Sequence, residues 1–533
     1  MVPFGKEKIL AGTRDKGFFL FDHNGESPRF RQFKFKDDEI INKSVITGGI
    51  SAGGGEIAIA TMMNGIFVVD TSGATKAVIN TSTGLGDNEV KQLITDNAGD
   101  LWAALNNGLS RIAISSPLSV YNEKSGIPGQ VNSMIRFRGN LFAGTSSGLM
   151  IQNNNRYSSA TFKSVSGITS PVRTICEVFG NMYVGTDDGL YVYDNERLKK
   201  ISNEAVFTFY LLLQNNILFS GGPSGMRGYR FTNGTLKPVL KSGGEDIVGI
   251  AGKVAAEDNV YDLWLGTRYN GVIRLKIKND IIQSSDHFTL SDGIPEGPVI
   301  PSFAQDELIF LTIRGLYSFV DENEVKRSLP DSLKNRSEFV RGYFSVISDR
   351  YVHPGEAVSL LTEKNGKIWI CSDNNVGWFD KDDDLKYISR PFRGIHAGKI
   401  NALYPENDEV CWIGTSDGLI RYDGRRTVNY DRSFRSLIRK VTLMENDSAL
   451  FFGAGLTYRN GIQSVSVNQG LDQLPVLKFE NNSVRFDFAA ASYDNPDKIM
   501  YSYPLVRILA GASGQVIITR NLQTSGKEIT ASL

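Results

Sequence analysis

The residues of this 533-residue chain with the most obvious chemistry are four histidines, three cysteines and two runs of aspartate. His23, His287, His353 and His396 could each ligate a metal or carry a proton. Each stands in a different sequence setting, however, and no two have metal-ligand spacing. Asp187-Asp188 and Asp382-Asp383-Asp384 supply the carboxylate pairs that glycoside cleavage uses. Both fall at hairpin tips or beside charged residues, where turn chemistry accounts for them. Cys176, Cys371 and Cys411 lack CxxC spacing and a nearby histidine. They read as small apolar side chains, with a Cys371–Cys411 cross-link as the alternative. No catalytic residue, metal site or cofactor is expected, and Asp-box and WD-type signatures are lacking.

The elements that would position any site are set by a repeat. Trp102, Trp264, Trp369 and Trp412 occupy one slot of a recurring phrase, as in LWAALNNGLSRI, LWLGTRYNGVIRL and WIGTSDGLIRYD. The phrase is an apolar strand, a polar turn ending in glycine, and a second apolar strand. Its turn glycines are Gly17, Gly65, Gly108, Gly148, Gly189, Gly225, Gly271, Gly315, Gly377 and Gly418, spaced 36 to 48 residues apart except for one interval of 62. Small residues precede many turns (Gly144-Thr145, Gly185-Thr186, Gly266-Thr267, Gly414-Thr415) and permit close backbone approach near an axis. A Val-led strand precedes each pair, as in GLGDNEVKQLI and GQVNSMIRF, completing four antiparallel strands per unit. A period near 40 with four short strands is the mark of an all-β propeller.

Hydrophobic residues make up 41% and charged residues 22%, as in an ordinary globular protein. Lys+Arg and Asp+Glu are balanced at 58 each, so no net field recruits nucleic acid or an anionic membrane. No run approaches the ~20 apolar residues that span a bilayer. The start, MVPFGKEKIL, has no basic segment leading into an apolar core. As it stands the chain is expected to remain cytoplasmic.

In detail the unit resembles the two-component regulator propeller repeat, GL-x4-V-x2-I-x2-D-x2-G-x-L-W-x-G-T-x2-GL. Residues Gly84 to Leu109 match nearly every position, Gly394 to Asp423 match in the second half, and the likeness extends over roughly residues 8–460. The segment LKFENNSVRFDFAAASYDNPDKIMYSYPL (477–505) resembles the opening of the three-tyrosine sandwich domain, with Phe486, Phe488, Tyr493, Pro496, Tyr501, Tyr503 and Leu505 on its pattern. Beyond Leu505 the likeness stops. Back-translating the tail and reading it one base earlier allows GQDFGWSKWSGNNYKEFTNLREGNYSF, which restores the W-S-x-W-S pattern. The tail is therefore expected to be out of frame, without sandwich strand pairing, leaving Tyr501 and Tyr503 without aromatic partners. Only eight residues precede Ile9, too few for a Val-led strand, so the chain is expected to begin inside a blade.

The resemblance implies the extracytoplasmic, ligand-sensing input of a bacterial two-component-type regulator. The parent would be a periplasmic homodimer reading a small molecule or oligosaccharide, with any kinase elsewhere and nothing catalytic in this chain. The alternatives are a propeller-based lyase or glycosidase, or a protein-interaction scaffold. The expected division is a partial propeller (1–115), about seven blades (116–470), the start of an immunoglobulin-like sandwich (471–505) and the tail (506–533). The transition lies at ISSPLSVYNEKSGIPG (114–129), and the units with Gly148 to Gly418 would form the complete propeller. Such a fragment would expose blade faces and the row Val484, Phe486, Phe488, and so be poorly soluble or oligomeric. Ligand residues are unassigned. Arg341, Tyr343 and Tyr351, in the 62-residue interval, suit a ligand best, with packing of an irregular blade the plainer reading.

Overall fold

The computed structural model describes all residues except 6–7, 14–15, 23–28, 154–160, 195–196, 255–258, 329–341, 348–356, 373–374, 381–385, 396–397, 427, 429, 431–432, 454, 460–461, 467–482, 494–498, 512–513, 525–527 and 533. The fold is all-β and built from propeller blades. Blade 1 comprises Val2–Phe4, Lys8–Thr13, Gly17–Asp22 and Arg29–Phe33. Blade 2 comprises Ile46–Gly53, Glu56–Thr61, Ile66–Asp70 and Thr75–Ile79. Blade 3 has three strands, Val90–Thr95, Leu101–Leu105 and Leu109–Ile112.

Six further blades follow, each four strands in chain order. Their innermost strands are Val131–Phe137 (blade 4), Val172–Val178 (blade 5), Thr208–Leu212 (blade 6), Ile247–Val254 (blade 7), Ile300–Ala304 (blade 8) and Val358–Lys364 (blade 9). Blade 10 joins Ile400–Pro405, Val410–Thr415 and Gly418–Asp423 to Leu118–Tyr121, a strand from before blade 4. The register Leu118↔Tyr422 to Tyr121↔Leu419 thus links the two ends of the seven-blade segment. Innermost strands touch in succession from blade 4 to blade 10, and blade 10 touches blade 4. This is a closed ring. Blades 1 to 3 touch in succession through their innermost strands and make an arc.

Alternation explains how a blade with a neighbour on either side buries both faces. In blade 2, Ile57, Ile59, Phe67 and Val69 pack toward blade 1, whereas Ala58, Ala60, Ile66 and Val68 pack toward blade 3. Period-2 placement sends successive side chains to opposite sheets. Between blades 9 and 10, Trp369, Trp378, Phe392 and Tyr422 form one aromatic cluster, with Trp369–Trp378 centroids 4.9 Å apart and Phe392–Tyr422 5.0 Å apart. Each such pair adds about 0.5–1.5 kcal/mol beyond its buried area.

Several expectations need correction. The first blade does have its Val-led strand: Val2 pairs with Leu10 and Phe4 with Lys8, and three residues suffice. Gly377 is not a turn glycine, because it lies inside Asn375–Asp380 opposite Ile370. A Cβ there would meet the Tyr387 ring at 2.4 Å, so the glycine makes room for an aromatic instead. The other nine repeat glycines do take positive φ.

The chain divides after Val428 into two compact units, the first of which holds blades 1 to 10 together. The strand shift at 114–129 is visible, since the chain leaves blade 3 at Ile112 and enters blade 10 at Leu118. The second unit begins well before residue 471 because Ser436–Leu443 pairs along its length with Ser483–Ala490. Its main sheet orders Ala449–Phe452, Ser436–Leu443, Ser483–Ala490 and Glu528–Ser532. The tail therefore does pair: Glu528–Ser532 lies against Ser483–Ala490, and Gly514–Thr524 against Tyr501–Gly511. Backbone ladders need no particular side chains, which is why a tail without aromatics can still form strands. Tyr501 is also partnered. Its hydroxyl accepts from the Ala490 amide at 3.0 Å, and its ring meets Phe488 edge-on at 4.5 Å. Val484 and Phe488 are buried and Phe486 half-buried, so that row is not the exposed stripe expected. The side chain of Tyr503 and the structure around Pro496 lie outside the described residues.

Candidate functional site

Antiparallel order brings the start of each innermost strand and the turn between the second and third strands to one rim of the ring. In blade 5, Val172 lies opposite Thr186 and Thr186 opposite Gly189; in blade 10 the equivalents are Ile400, Thr415 and Gly418. The buried threonine ties the turn. Its hydroxyl donates to the glycine carbonyl at 2.9 Å for Thr145, 2.8 Å for Thr186, 3.0 Å for Thr267 and 2.9 Å for Thr415. The preceding glycine admits the next blade. A Cβ on Gly144 would sit 2.4 Å from Val172, one on Gly266 1.9 Å from the Val299 carbonyl, and one on Gly414 2.9 Å from the Val131 carbonyl. The Gly-Thr phrase thus builds the rim and carries no ligand chemistry itself.

What decorates the rim comes from a feature that the sequence alone did not reveal. Five innermost strands of the ring skip a residue just inside their start: Asn132, Arg173, Val248, Ser359 and Asn401. A bulge of this kind re-aims a side chain and is common beside functional sites. Asn132 donates from Nδ2 to the Val172 carbonyl at 2.8 Å and accepts from Gln130 Nε2 at 2.7 Å. Arg173 grips Asp187 through two parallel hydrogen bonds, Nε–Oδ1 2.6 Å and Nη2–Oδ2 2.8 Å. In four of these five strands the sequence signal was a polar residue one place after the leading Val or Ile; Val248 is the exception.

The densest arrangement spans blades 5 to 7. Half-buried Phe207 lies near two guanidiniums, Arg173 at 5.5 Å and Arg268 at 5.7 Å from its ring centroid. Arg268 donates from Nε to Asp246 Oδ2 at 2.6 Å, while Asp246 Oδ1 is buried without a hydrogen-bond partner. Asn270 donates from Nδ2 to Glu245 Oε2 at 2.7 Å, and Tyr269 beside it is exposed. Arg227 pairs with Glu204, and this hydrogen bonding holds the Glu204 carboxyl below the usual carboxylate range. Burial works to raise Asp188, but hydrogen bonds from Thr186, Tyr191 and Lys200 outweigh it and hold the carboxyl down at about 2. Glu204 and Asp188 are thus held ionised against cations, whereas a general acid at neutral pH needs a raised pKa. A surface of neutralised ion pairs around an aromatic face suits hydrogen bonding to a neutral polar ligand.

The residues expected from sequence do not assemble into a site. Asp187 and Asp188 diverge, one to Arg173 and the other to Lys200. His287, exposed on blade 7, lies with Nε2 2.5 Å from the Asn270 carbonyl. His23, His353, His396 and Asp382 to Asp384 lie outside the described residues, among which no cluster of metal-ligating side chains occurs. Cys371 and Cys411 are buried in the same aromatic cluster, with no disulfide between them, and burial pushes the Cys411 thiol up. Tyr343 begins the outer strand of blade 8 opposite Val320, and Arg341 and Tyr351 are outside the described residues. A cavity of about 500 Å³ also opens at the inner edges of blades 1 and 2, lined by Met1, Val2, Thr47, Gly48 and Met62 among others.

No family model and no curated protein matches the chain. Among solved structures it is similar to the extracellular domain of BT3049, assigned to a hybrid two component system of B. thetaiotaomicron. Identity is 16% and the TM-score 0.59, over 98% of this chain and 67% of that one. It also aligns with the extracellular domain of BT4673 from the same organism, at 13% identity and TM-score 0.44, over 100% of this chain and 72% of that one. At 16% identity the first likeness shows the fold.

Proposed function

We propose that this chain is the extracytoplasmic ligand-sensing part of a bacterial two-component-type regulator, non-catalytic, with its ligand read at the rim of the seven-blade ring. The observation that carries this reading is a single chain combining the regulator-type repeat with the three-tyrosine-like segment, in a fold like that of BT3049 along nearly its whole length. The ligand class that the rim suits is a neutral oligosaccharide. Phe207 offers an apolar face, and the Arg173–Asp187 and Arg268–Asp246 pairs offer fixed donors and acceptors. In the parent protein, periplasmic and homodimeric, ligand-dependent rearrangement of the propeller would be relayed through the sandwich. The domain division belongs to the same proposal: an arc ending near residue 115, a ring of seven blades, and a sandwich whose sequence leaves its frame near Leu505. Nucleotide sequence that fails to give Trp-Ser-x-Trp in the shifted frame removes that last element.

The test is calorimetric titration of the chain with a panel of neutral and acidic oligosaccharides, repeated with Phe207→Ala and Arg268→Ala. A saturable heat for a neutral member, weakened at least tenfold by both substitutions, supports the reading. Saturable binding indifferent to both moves the site off this rim. Turnover of a bound oligosaccharide into shorter products overturns the non-catalytic assignment.

A further inference from the structure

The rim turns of the ring differ in length at one place. Between the tying threonine and the repeat glycine, blades 4, 5, 8 and 10 each carry two residues: Ser146-Ser147, Asp187-Asp188, Ile313-Arg314 and Ser416-Asp417. Blade 7 carries three, Arg268-Tyr269-Asn270, and Tyr269 in the middle is 71% exposed. Both its neighbours are fixed. Arg268 is bound twice to Asp246, its amide donating to the backbone carbonyl at 3.0 Å and its Nε to Oδ2. The Asn270 amide donates to Thr267 Oγ1 at 2.8 Å and its Nδ2 to Glu245, and its backbone bridges to Gly297. An exposed tyrosine on a turn held from both sides offers a large contact face that loses little freedom when covered.

Its position continues the rim site. Arg268 lies near the Phe207 ring, and Tyr269 follows it directly, about 3.8 Å on from Cα to Cα. On the other side a Cβ on Gly297 would touch Ile313 Cδ1 at 3.4 Å, and Ile313 is itself exposed in the blade 8 turn. Apolar side chains thus recur along the rim, Phe207, then Tyr269, then Ile313, with the intervening Arg268 paired to Asp246.

We propose that Tyr269 is a second platform of this site, on which a further ring of the same oligosaccharide stacks, so that the rim selects for chain length. The proposal rests on the reading of the rim as a neutral-oligosaccharide site. A pyranose ring has a face of C–H groups that an aromatic side chain covers, while its hydroxyls reach water and the polar rim. A short sugar held at Phe207 leaves Tyr269 uncovered. A longer one reaches both, and the second contact is intramolecular once the first is made.

Calorimetric titration with the disaccharide and the hexasaccharide of the malto, cello, xylo and manno series tests this, on the native chain and on Phe207→Ala, Tyr269→Ala and Tyr269→Phe. Tyr269 is exposed, so its variants should fold with unchanged circular dichroism. In the series that binds, the native chain should hold the hexasaccharide about tenfold more tightly than the disaccharide, within the reach of one tyrosine anchor. Tyr269→Ala should bring that ratio to about one, and Tyr269→Phe, which keeps the aromatic face, should retain it. A ratio unchanged by Tyr269→Ala, or a hexasaccharide held no more tightly than its disaccharide, overturns the proposal; if Phe207→Ala still weakens both sugars, the rim reading survives. No heat from any series, or binding indifferent to Phe207→Ala, removes the rim reading and this proposal with it.

Discussion

The ring of blades 4–10 and the arc of blades 1–3 are written in the same repeat, yet equivalent residues meet different surroundings. Trp412 of the ring is buried, its indole Nε1 donating to Glu406 at 2.6 Å; Trp102 of the arc makes the matching bond to Asp96 at 2.9 Å but stays half-exposed. Leu419 and Leu109, each the residue after its repeat glycine, differ in the same sense. The local phrase determines the blade, its hairpin turns and which face each side chain takes. Burial is decided by the neighbouring blade, and in the ring that neighbour is secured by the strand Leu118–Tyr121.

The largest expected effect separates those two leucines. Leu419→Ala should cost about 3 kcal/mol, as for a large-to-small change in a packed core. Leu109→Ala should stay within about 0.5 kcal/mol, as at most surface sites. Urea melts of both variants measure this, and equal costs would break the comparison. Next comes the glycine that admits the following blade. Gly266→Ala puts a methyl against the Val299 carbonyl and should cost about 1–3 kcal/mol, as overpacking does. Ala104, at the corresponding place in blade 3 and half-buried, should accept Val within about 0.5 kcal/mol.

A smaller effect is expected at Glu406, which takes Arg136 of blade 4 and Trp412 of blade 10 together, with Arg136 Nε 2.7 Å from its Oε1. The pair is partly exposed, so Glu406→Gln should cost about 1–2 kcal/mol, less than a fully buried pair. Melting of Glu406→Gln beside the native chain sharpens how far blade 10 holds the ring.

The smallest effect is one of pH. Burial works to raise Glu406, but Arg136 and Trp412 outweigh it and lower its pKa. Asp423 is lowered chiefly by its hydrogen bonds to Arg425. A lowered folded pKa means stability that is present above the unfolded values, 4.5 and 3.8, and lost as pH falls through the folded ones. At Asp100 in blade 3 the sign reverses. Burial raises it despite Arg111, so protonation in mild acid relieves a cost and favours the fold. Asp70 of blade 2, hydrogen-bonded by Lys76, and Asp96 of blade 3, hydrogen-bonded by Trp102, are lowered like the ring's carboxylates. Amides of ring and arc alike should therefore lose exchange protection as pH falls below about 4. Protection that rises in acid throughout would count against these assignments.

Much of this was legible beforehand. The Gly-Thr turns, the Val-led strands and the slot of Trp264, Trp369 and Trp412 follow from period-2 alternation and turn chemistry, which act over a few residues. Gly377 was misread because a glycine that accommodates the Tyr387 ring looks, in sequence, like one that makes a turn. The bulged residues Asn132, Arg173 and Asn401 were overlooked because a bulge shows only once two strands are in register. The rim cluster around Phe207 was invisible for a longer-range reason, since Arg173, Phe207 and Arg268 come from separate blades and meet only when the ring closes. The pairing of Ser436–Leu443 with Ser483–Ala490 was missed likewise, as nothing local in either strand specifies the other.

Ring closure by Leu118–Tyr121 is the central structural claim, and amide hydrogen exchange tests it most directly. Peptides covering 118–121 should be protected at the amides that ladder to 419–422, less than the doubly paired 419–422 itself, because Leu118–Tyr121 is the outer strand of blade 10. Their protection should match that of peptides covering 109–112, the outer strand of blade 3. Rapid exchange at 118–121 beside a protected 419–422 would mean that the strand does not close the ring, and the account would fail.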